Sequence, residues 1–208
     1  MSAQILMIRH AAHAQLGAVL SGRLPDMPLS AAGRRQADAL AARLAAIPLD
    51  ALHASPVQRA QETARALAMA QPGLAIETVP ALDEVDFGEW QGRAFAQLAG
   101  DPRWERWNAQ RGSARAPGGE SMAAAQDRAW RHVVATALAR PGATIAMVSH
   151  CDVIRAVVAR VLGLPLDRLL SFEVGPASLS RIEIGEWGSR LHSLNEVCRE
   201  SCGDRTDG

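Results

Sequence analysis

The sequence predicts an α/β fold in which a mostly parallel sheet is covered on both faces by helices. Three observations predict it. Strand-length apolar runs alternate with helix-length amphipathic segments along most of the chain. Two of those runs, over residues 4–8 and 144–148, are almost uninterrupted, as in strands buried on both faces. Apolar residues make up 48% of the 208 positions, enough for one sizeable core.

Each element has a local reason. The first strand, residues 4–8, ends at Arg9-His10. Residues 30–46 read as a helix capped by Ser30, with Ala37, Leu40, Ala41 and Leu44 on one face. Residues 49–54 are expected as a second strand. Ser55-Pro56 then supplies an N-cap and a proline at the first helical position, for a helix that ends before Pro72-Gly73. A short strand is expected over 75–79. Residues 82–118 hold Trp90, Trp104, Trp107, several glycines and two prolines, and read as loops with one or two short helices. A helix over 120–139 leads to the strand over 144–148, which ends at Ser149-His150. Asp152 is the expected cap of the next helix. Its apolar face is Val153, Val157, Val158, Val161 and Leu162, and it stops at Gly163-Leu164-Pro165. Three late strands are expected over 170–174, 178–185 and 189–195. This gives one domain over residues 1–195 and a polar, frayed tail over 196–208.

All 22 basic residues are arginine, and 22 acidic residues balance them to a net charge of zero. A neutral chain argues against a nucleic-acid partner that needs a broad basic field. Arginine suits fixed, bidentate recognition of anions. The three cysteines, Cys151, Cys198 and Cys202, do not make a disulfide framework. The apolar run over 5–8 is too short for a membrane span or a signal peptide. A soluble cytoplasmic protein with no membrane partner is expected.

In parallel sheets, ligands bind beyond the carboxyl ends of the strands. Arg9-His10 and Ser149-His150 place two imidazoles on that edge. Arg9 supplies a planar fork of donors there. Arg59, in the first turn of its helix, can point to the same edge. The helix after His150, which opens near Cys151, adds unpaired backbone N–H groups and the positive end of its dipole. Such a pocket fits a phosphate monoester, whose charge must be neutralised before a nucleophile can reach phosphorus. His10 is then the expected nucleophile, with its second ring nitrogen fixed by a backbone carbonyl or similar partner. Water would hydrolyse the phosphoryl-imidazole, and His150 would donate to a phosphate oxygen. The leaving group needs a proton. Asp83, Glu84, Asp86 and Glu89 crowd carboxylates together, and Glu84 is the expected acid, with Asp83 and Asp86 as alternatives.

Other residues are weighed beside these. A cysteine phosphatase would need arginine six residues after the cysteine, and position 157 is valine. His13 follows His10 by three residues, but no further ligands accompany the pair, so no metal is expected. His53 reads as structural, His132 and His192 as surface residues, and Trp90 as core. The stretch from Arg103 to Trp107, with Arg111 and Arg115, is either a substrate lid or a packed helix.

The ordered motifs resemble the histidine phosphatase superfamily, in its phosphoglycerate-mutase-like branch (branch 1). Ile8-Arg9-His10 is similar to that family's opening signature. Gly22, Pro28-Leu29-Ser30 and Gly33 follow, then Ser55-Pro56 with Arg59-Ala60 and Thr63-Ala64. Next come Leu82-Asp83-Glu84 and Phe87-Gly88-Glu89-Trp90-Gln91-Gly92. The set closes with Pro117-Gly118-Gly119-Glu120-Ser121, Val148-Ser149-His150 and Ile154-Arg155. The resemblance implies a three-layer α/β/α sandwich and no metal or organic cofactor. It also implies a phosphohistidine on His10, phosphate contacts from Arg9, Arg59, His150 and the backbone at Cys151, and proton donation by Glu84. Gly22 and Ser55 stand as further possible site residues. Two family glycines are replaced, by Ala11 and Cys151. Where the family often has a threonine and an asparagine, this chain has His13 and Leu16, so one phosphate contact is either missing or supplied by His13. The expected substrate is a small phosphorylated metabolite. A phosphoglycerate-type mutase and a non-catalytic phosphate-binding module are the alternatives. The short stretch between Trp90 and Pro117 favours hydrolysis over a mutase, because it leaves little chain to enclose an intermediate.

Overall fold

A six-stranded sheet forms the middle layer of the computed structural model, which describes residues 1–197. The elements follow in chain order. They are β1 (Ala3–Arg9), α1 (Ala31–Leu44), β2 (Ala51–Ala54), α2 (Gln58–Met69), β3 (Ile76–Thr78), α3 (Phe95–Leu98), α4 (Pro102–Ala109), α5 (Met122–Ala139), β4 (Thr144–Ser149), α6 (Cys151–Leu162), β5 (Leu179–Gly185) and β6 (Gly188–Glu196). The sheet order is β3-β2-β4-β1-β5-β6. The first four of these strands run parallel, and β5 and β6 add an antiparallel edge.

The period-two alternation of a strand sorts its side chains between two cores. Ile5 and Met7 of β1 and Ile145 and Met147 of β4 face α5 and α6, where they meet Val133, Val153 and Val157. Leu6, Ile8, Ala146 and Val148 face α1 and α2, where they meet Leu40, Leu44 and Leu67. Burying each such leucine is worth about 1.5–3 kcal/mol. A third cluster lies outside the sheet. It joins Phe87, Trp90, Leu98 and Trp107 to Met122, Ala125, Ala156 and Ala159. The long segment between β3 and α5 therefore has a core of its own. Trp90 is core, as expected, and α4 is a packed helix through Trp107, although Trp104 also reaches the cavity described below.

Glycine is needed where backbones touch. A Cβ on Gly33 would lie 1.8 Å from the Ala12 carbonyl oxygen. Gly88 has φ +51°, and a Cβ there would lie 2.1 Å from the carbonyl oxygen of Pro117.

Several elements differ from expectation. Residues 170–174 are not a strand. The apolar residues Leu166 and Leu169 are three apart, and a 3₁₀ turn over Leu166–Ser171 packs both on the third cluster. Asp152 does not cap α6. His150 takes that position, and Asp152 lies in the first turn. Nor is Ser55 the N-cap of α2, which is Val57, although the Ser55 hydroxyl accepts the Val57 N–H at 3.3 Å besides its bonds to Asp83 and His150. The helix expected over 120–139 begins at Met122, with the Ser121 hydroxyl accepting from Ala124 N. His132 is half-buried and bonds to buried His53 at 3.0 Å, whereas His192 is exposed. Within the expected tail, Glu196 closes β6, and Cys198 and Cys202 lie outside the described residues. No described helix is long and apolar enough to cross a membrane.

Candidate active site

Parallel pairing of β1 with β4 sets Arg9 opposite Ser149, so His10 and His150 leave the same edge side by side. His10 N–H donates to the Ser149 carbonyl at 2.9 Å, and the two imidazole centroids lie 5.1 Å apart. His10 Nδ1 lies 2.8 Å from the Ala11 carbonyl oxygen. A carbonyl only accepts, so Nδ1 carries the proton and Nε2 keeps its lone pair. Burial, reinforced by the charges of Arg59 and Arg9, holds His10 well below the usual histidine value.

Arg59 joins the two imidazoles. Its Nε donates to His10 Nε2 at 3.1 Å, and one Nη donates to His150 Nδ1 at 3.1 Å and to the Gly22 carbonyl at 2.6 Å. Since arginine only donates, His150 Nδ1 is an acceptor and its Nε2 bears the hydrogen. That hydrogen points to Ser55 Oγ at 2.7 Å, and Ser55 donates in turn to Asp83 Oδ1 at 3.1 Å. The same Asp83 oxygen accepts the Glu84 backbone N–H at 3.0 Å. Burial first, then Arg59 and His10, hold His150 well below its usual value as well. Arg9 donates to the Val174 carbonyl at 2.6 Å.

A cavity of about 400 Å³ opens on this group and is lined by Arg9, His10, His13, Arg59, Glu84 and Cys151 among others. Of the three acid candidates, Glu84 lines it. Asp83 is tied to Ser55, and Asp86 Oδ1 accepts the Gly88 N–H at 3.0 Å. Burial, with the Asp152 charge adding to it, pushes the Glu84 carboxyl up to about 7. The backbone of Glu84 is caged. Its carbonyl accepts from Arg23 Nε at 2.7 Å and Arg128 Nη at 2.9 Å, and Glu120 bridges those two guanidinium groups at 2.8 and 2.7 Å.

The remaining expected site residues divide. Gly22 holds Arg59 through its carbonyl, and Ser55 holds His150. His13 lines the cavity with its ring 5.8 Å from His10, and burial together with Arg59 and Arg9 lowers it to about 4. Leu16 lies at the cavity lining. The side chain of Ala11 is accommodated in the second core, and its N–H donates to Thr63 Oγ1 at 3.0 Å. Cys151 lines the cavity, with its Sγ directed to the Val174 carbonyl. Burial outweighs Arg9 and pushes this thiol up to about 11, so it stays neutral. Sequence reasoning missed the Ser55–Asp83 link and the Arg23–Glu120–Arg128 cage. Among the described residues, no cluster of three or more His, Cys, Asp or Glu could hold a metal ion.

The chain is similar to known phosphatases over nearly its whole length. The chain is 29% identical over 195 residues to the adenosylcobalamin/alpha-ribazole phosphatase of Escherichia coli (strain K12), covering 92% of this chain and 95% of that one. It is 28% identical over 197 residues to phosphoserine phosphatase 1 of Hydrogenobacter thermophilus, covering 94% and 93%. The solved structure of mycobacterial glucosyl-3-phosphoglycerate phosphatase superposes with a TM-score of 0.81 at 28% identity, covering 94% of this chain and 99% of that one. Residues 5–197 match the Histidine phosphatase superfamily (branch 1), and the chain belongs to that family.

Proposed function

We propose that His10 takes the phosphoryl group of a small phosphate monoester and passes it to water. The chain is a phosphomonoesterase for small phosphorylated metabolites, in line with the phosphatases it resembles. What carries the residue-level reading is the meeting of two neutral imidazoles on one buried guanidinium, Arg59, which with His10 lines a cavity. His10 Nε2 attacks phosphorus, the ester P–O bond breaks, and the departing oxygen takes a proton from Glu84. Arg9, Arg59 and the backbone at Cys151 neutralise the phosphoryl oxygens, and neutral His150, whose one N–H is on Ser55, holds the Arg59 guanidinium through Nδ1. Water then attacks phosphorus and gives its proton to Glu84, and the N–P bond breaks to restore the imidazole. The cytoplasmic setting expected from the sequence belongs to the same reading. Product analysis with a phosphoglycerate tests hydrolysis against a mutase: free phosphate supports this reading, and an isomerised ester overturns it.

The protonation of Glu84 gives a pH dependence with a defined sign. An acid must be protonated to act, so kcat/KM should fall as pH rises through about 7, the value of this carboxyl. Asp152 helps to raise that value, so Asp152→Asn should move the decline to lower pH. Glu84→Gln should lower the rate about 10²-fold or more and remove the decline. A rate that climbs through neutrality in the wild type would refute Glu84 as the acid.

Ser55 and Asp83 act through His150 as positioning residues. Ser55→Ala strands a buried N–H, which costs about 1–3 kcal/mol. It should lower kcat about tenfold at pH 6. Asp83→Asn keeps an acceptor oxygen and should lose less than Asp83→Ala. Equal losses in the two Asp83 variants, or pH profiles identical to wild type throughout, would leave only a structural role for the relay.

A further inference from the structure

Three large apolar side chains that the fold leaves in water, Leu16, Phe95 and Leu170, line this same cavity. They are 36%, 37% and 53% exposed. Trp104 also lines it, with its ring 6.2 Å from Phe95 and edge-on to buried Trp90 at 5.3 Å. Packing on Trp90 holds that indole in place, so the rim offers a fixed aromatic surface. Water-exposed apolar groups around a cleft gain by being covered.

Charge is distributed unevenly along the cavity. Arg9 donates to a carbonyl and Arg59 to two imidazoles and a carbonyl, so among the described residues neither hydrogen-bonds a carboxylate. Arg111, which also lines the cavity, donates to Asp152 Oδ2 and to Asn108 Oδ1, both at 2.9 Å. Arg155 lies 3.7 Å from Asp152 Oδ1 and 3.5 Å from Glu173. Arg111 and Arg155 are thus paired with carboxylates of the protein itself. Arg9 and Arg59 are left for one anion, and a second carboxylate on the substrate would meet Asp152, which also lines the cavity.

We propose that the substrate is the monophosphate ester of an uncharged alcohol bearing an apolar or aromatic ring, with that ring lying on Trp104, Phe95 and Leu16. This rests on the reading of His10 as the centre of phosphate-ester hydrolysis. It disfavours esters of carboxylate-bearing alcohols such as O-phosphoserine.

Three alkyl esters with similar leaving groups test it: 2-phenylethyl phosphate, glycerol 3-phosphate and O-phosphoserine. For the wild-type chain, kcat/KM should be highest for 2-phenylethyl phosphate, at least about tenfold above O-phosphoserine, with the difference mainly in KM. Leu16→Asn and Trp104→Ala should each shrink the preference for 2-phenylethyl over glycerol phosphate several-fold. Asp152→Asn should raise the rate with O-phosphoserine relative to 2-phenylethyl phosphate, because it frees Arg111 and Arg155. Ratios are used because Asp152 also acts on Glu84. O-phosphoserine equal to or better than 2-phenylethyl phosphate would overturn the proposal, as would rim variants that leave the ratios unchanged. Calorimetric titration of His10→Ala with the same esters separates this inference from the hydrolytic reading. Absence of turnover in the wild type with the same order of Kd would sink the hydrolytic reading and leave the ligand class standing. A Kd order led by O-phosphoserine would sink the ligand class even where turnover is found.

Discussion

His10→Ala should lower kcat on p-nitrophenyl phosphate by about 10⁴-fold or more, since it removes the atom that would bond to phosphorus. The chain should remain folded. The substitution deletes hydrogen bonds to the Ala11 carbonyl and to Arg59, but it leaves both flanking strands and their cores intact. Far-ultraviolet circular dichroism and the melting temperature check that point beside the kinetics. Rapid acid-free quenching with a ³²P-labelled substrate should trap label on the wild-type chain that is released by acid and resists base, as a phosphoramidate does. The variant should trap none. A variant with more than about a hundredth of wild-type activity would exclude His10 as the nucleophile.

Arg59→Ala should cost about 10²–10³ in kcat/KM, the scale expected when a buried charged donor to a developing anion is lost. Stability should respond differently. Arg59 is a desolvated cation whose burial lowers its pKa despite nearby Glu84 and Asp83. Removing a buried charge relieves that penalty and can offset the lost hydrogen bonds. Melting within a few degrees of wild type, alongside the kinetic loss, is therefore expected. Arg59→Lys should recover little, because an ammonium cannot reach His10, His150 and the Gly22 carbonyl from one planar group. A lysine variant close to wild type would show that charge alone, without the fork, suffices.

Much of this site could be read from the sequence because its principal side chains follow directly from regular elements. Apolar runs ending in histidine fix where His10 and His150 leave the sheet, and a helix start fixes Arg59. Ser55 was read as a helix cap from its place before proline, but its hydroxyl bonds to a histidine 95 positions away. No local spacing reports such a contact. The guanidinium cage on the Glu84 carbonyl is equally remote, with Arg23 and Glu120 separated by 97 positions. The misread strand over 170–174 has another cause. Leu170, Phe172 and Val174 alternate as a strand would, but the three-residue spacing of Leu166 and Leu169 selects a turn.

One oxygen of Asp83 receives both the Ser55 hydroxyl and the Glu84 backbone amide. Glu84 and the second imidazole are therefore mounted on a common bracket, and a displacement of either is felt by the other. The apolar rim of the cavity takes no part in this bracket. Leu16, Phe95 and Leu170 can be traded there without disturbing the machinery that handles phosphorus.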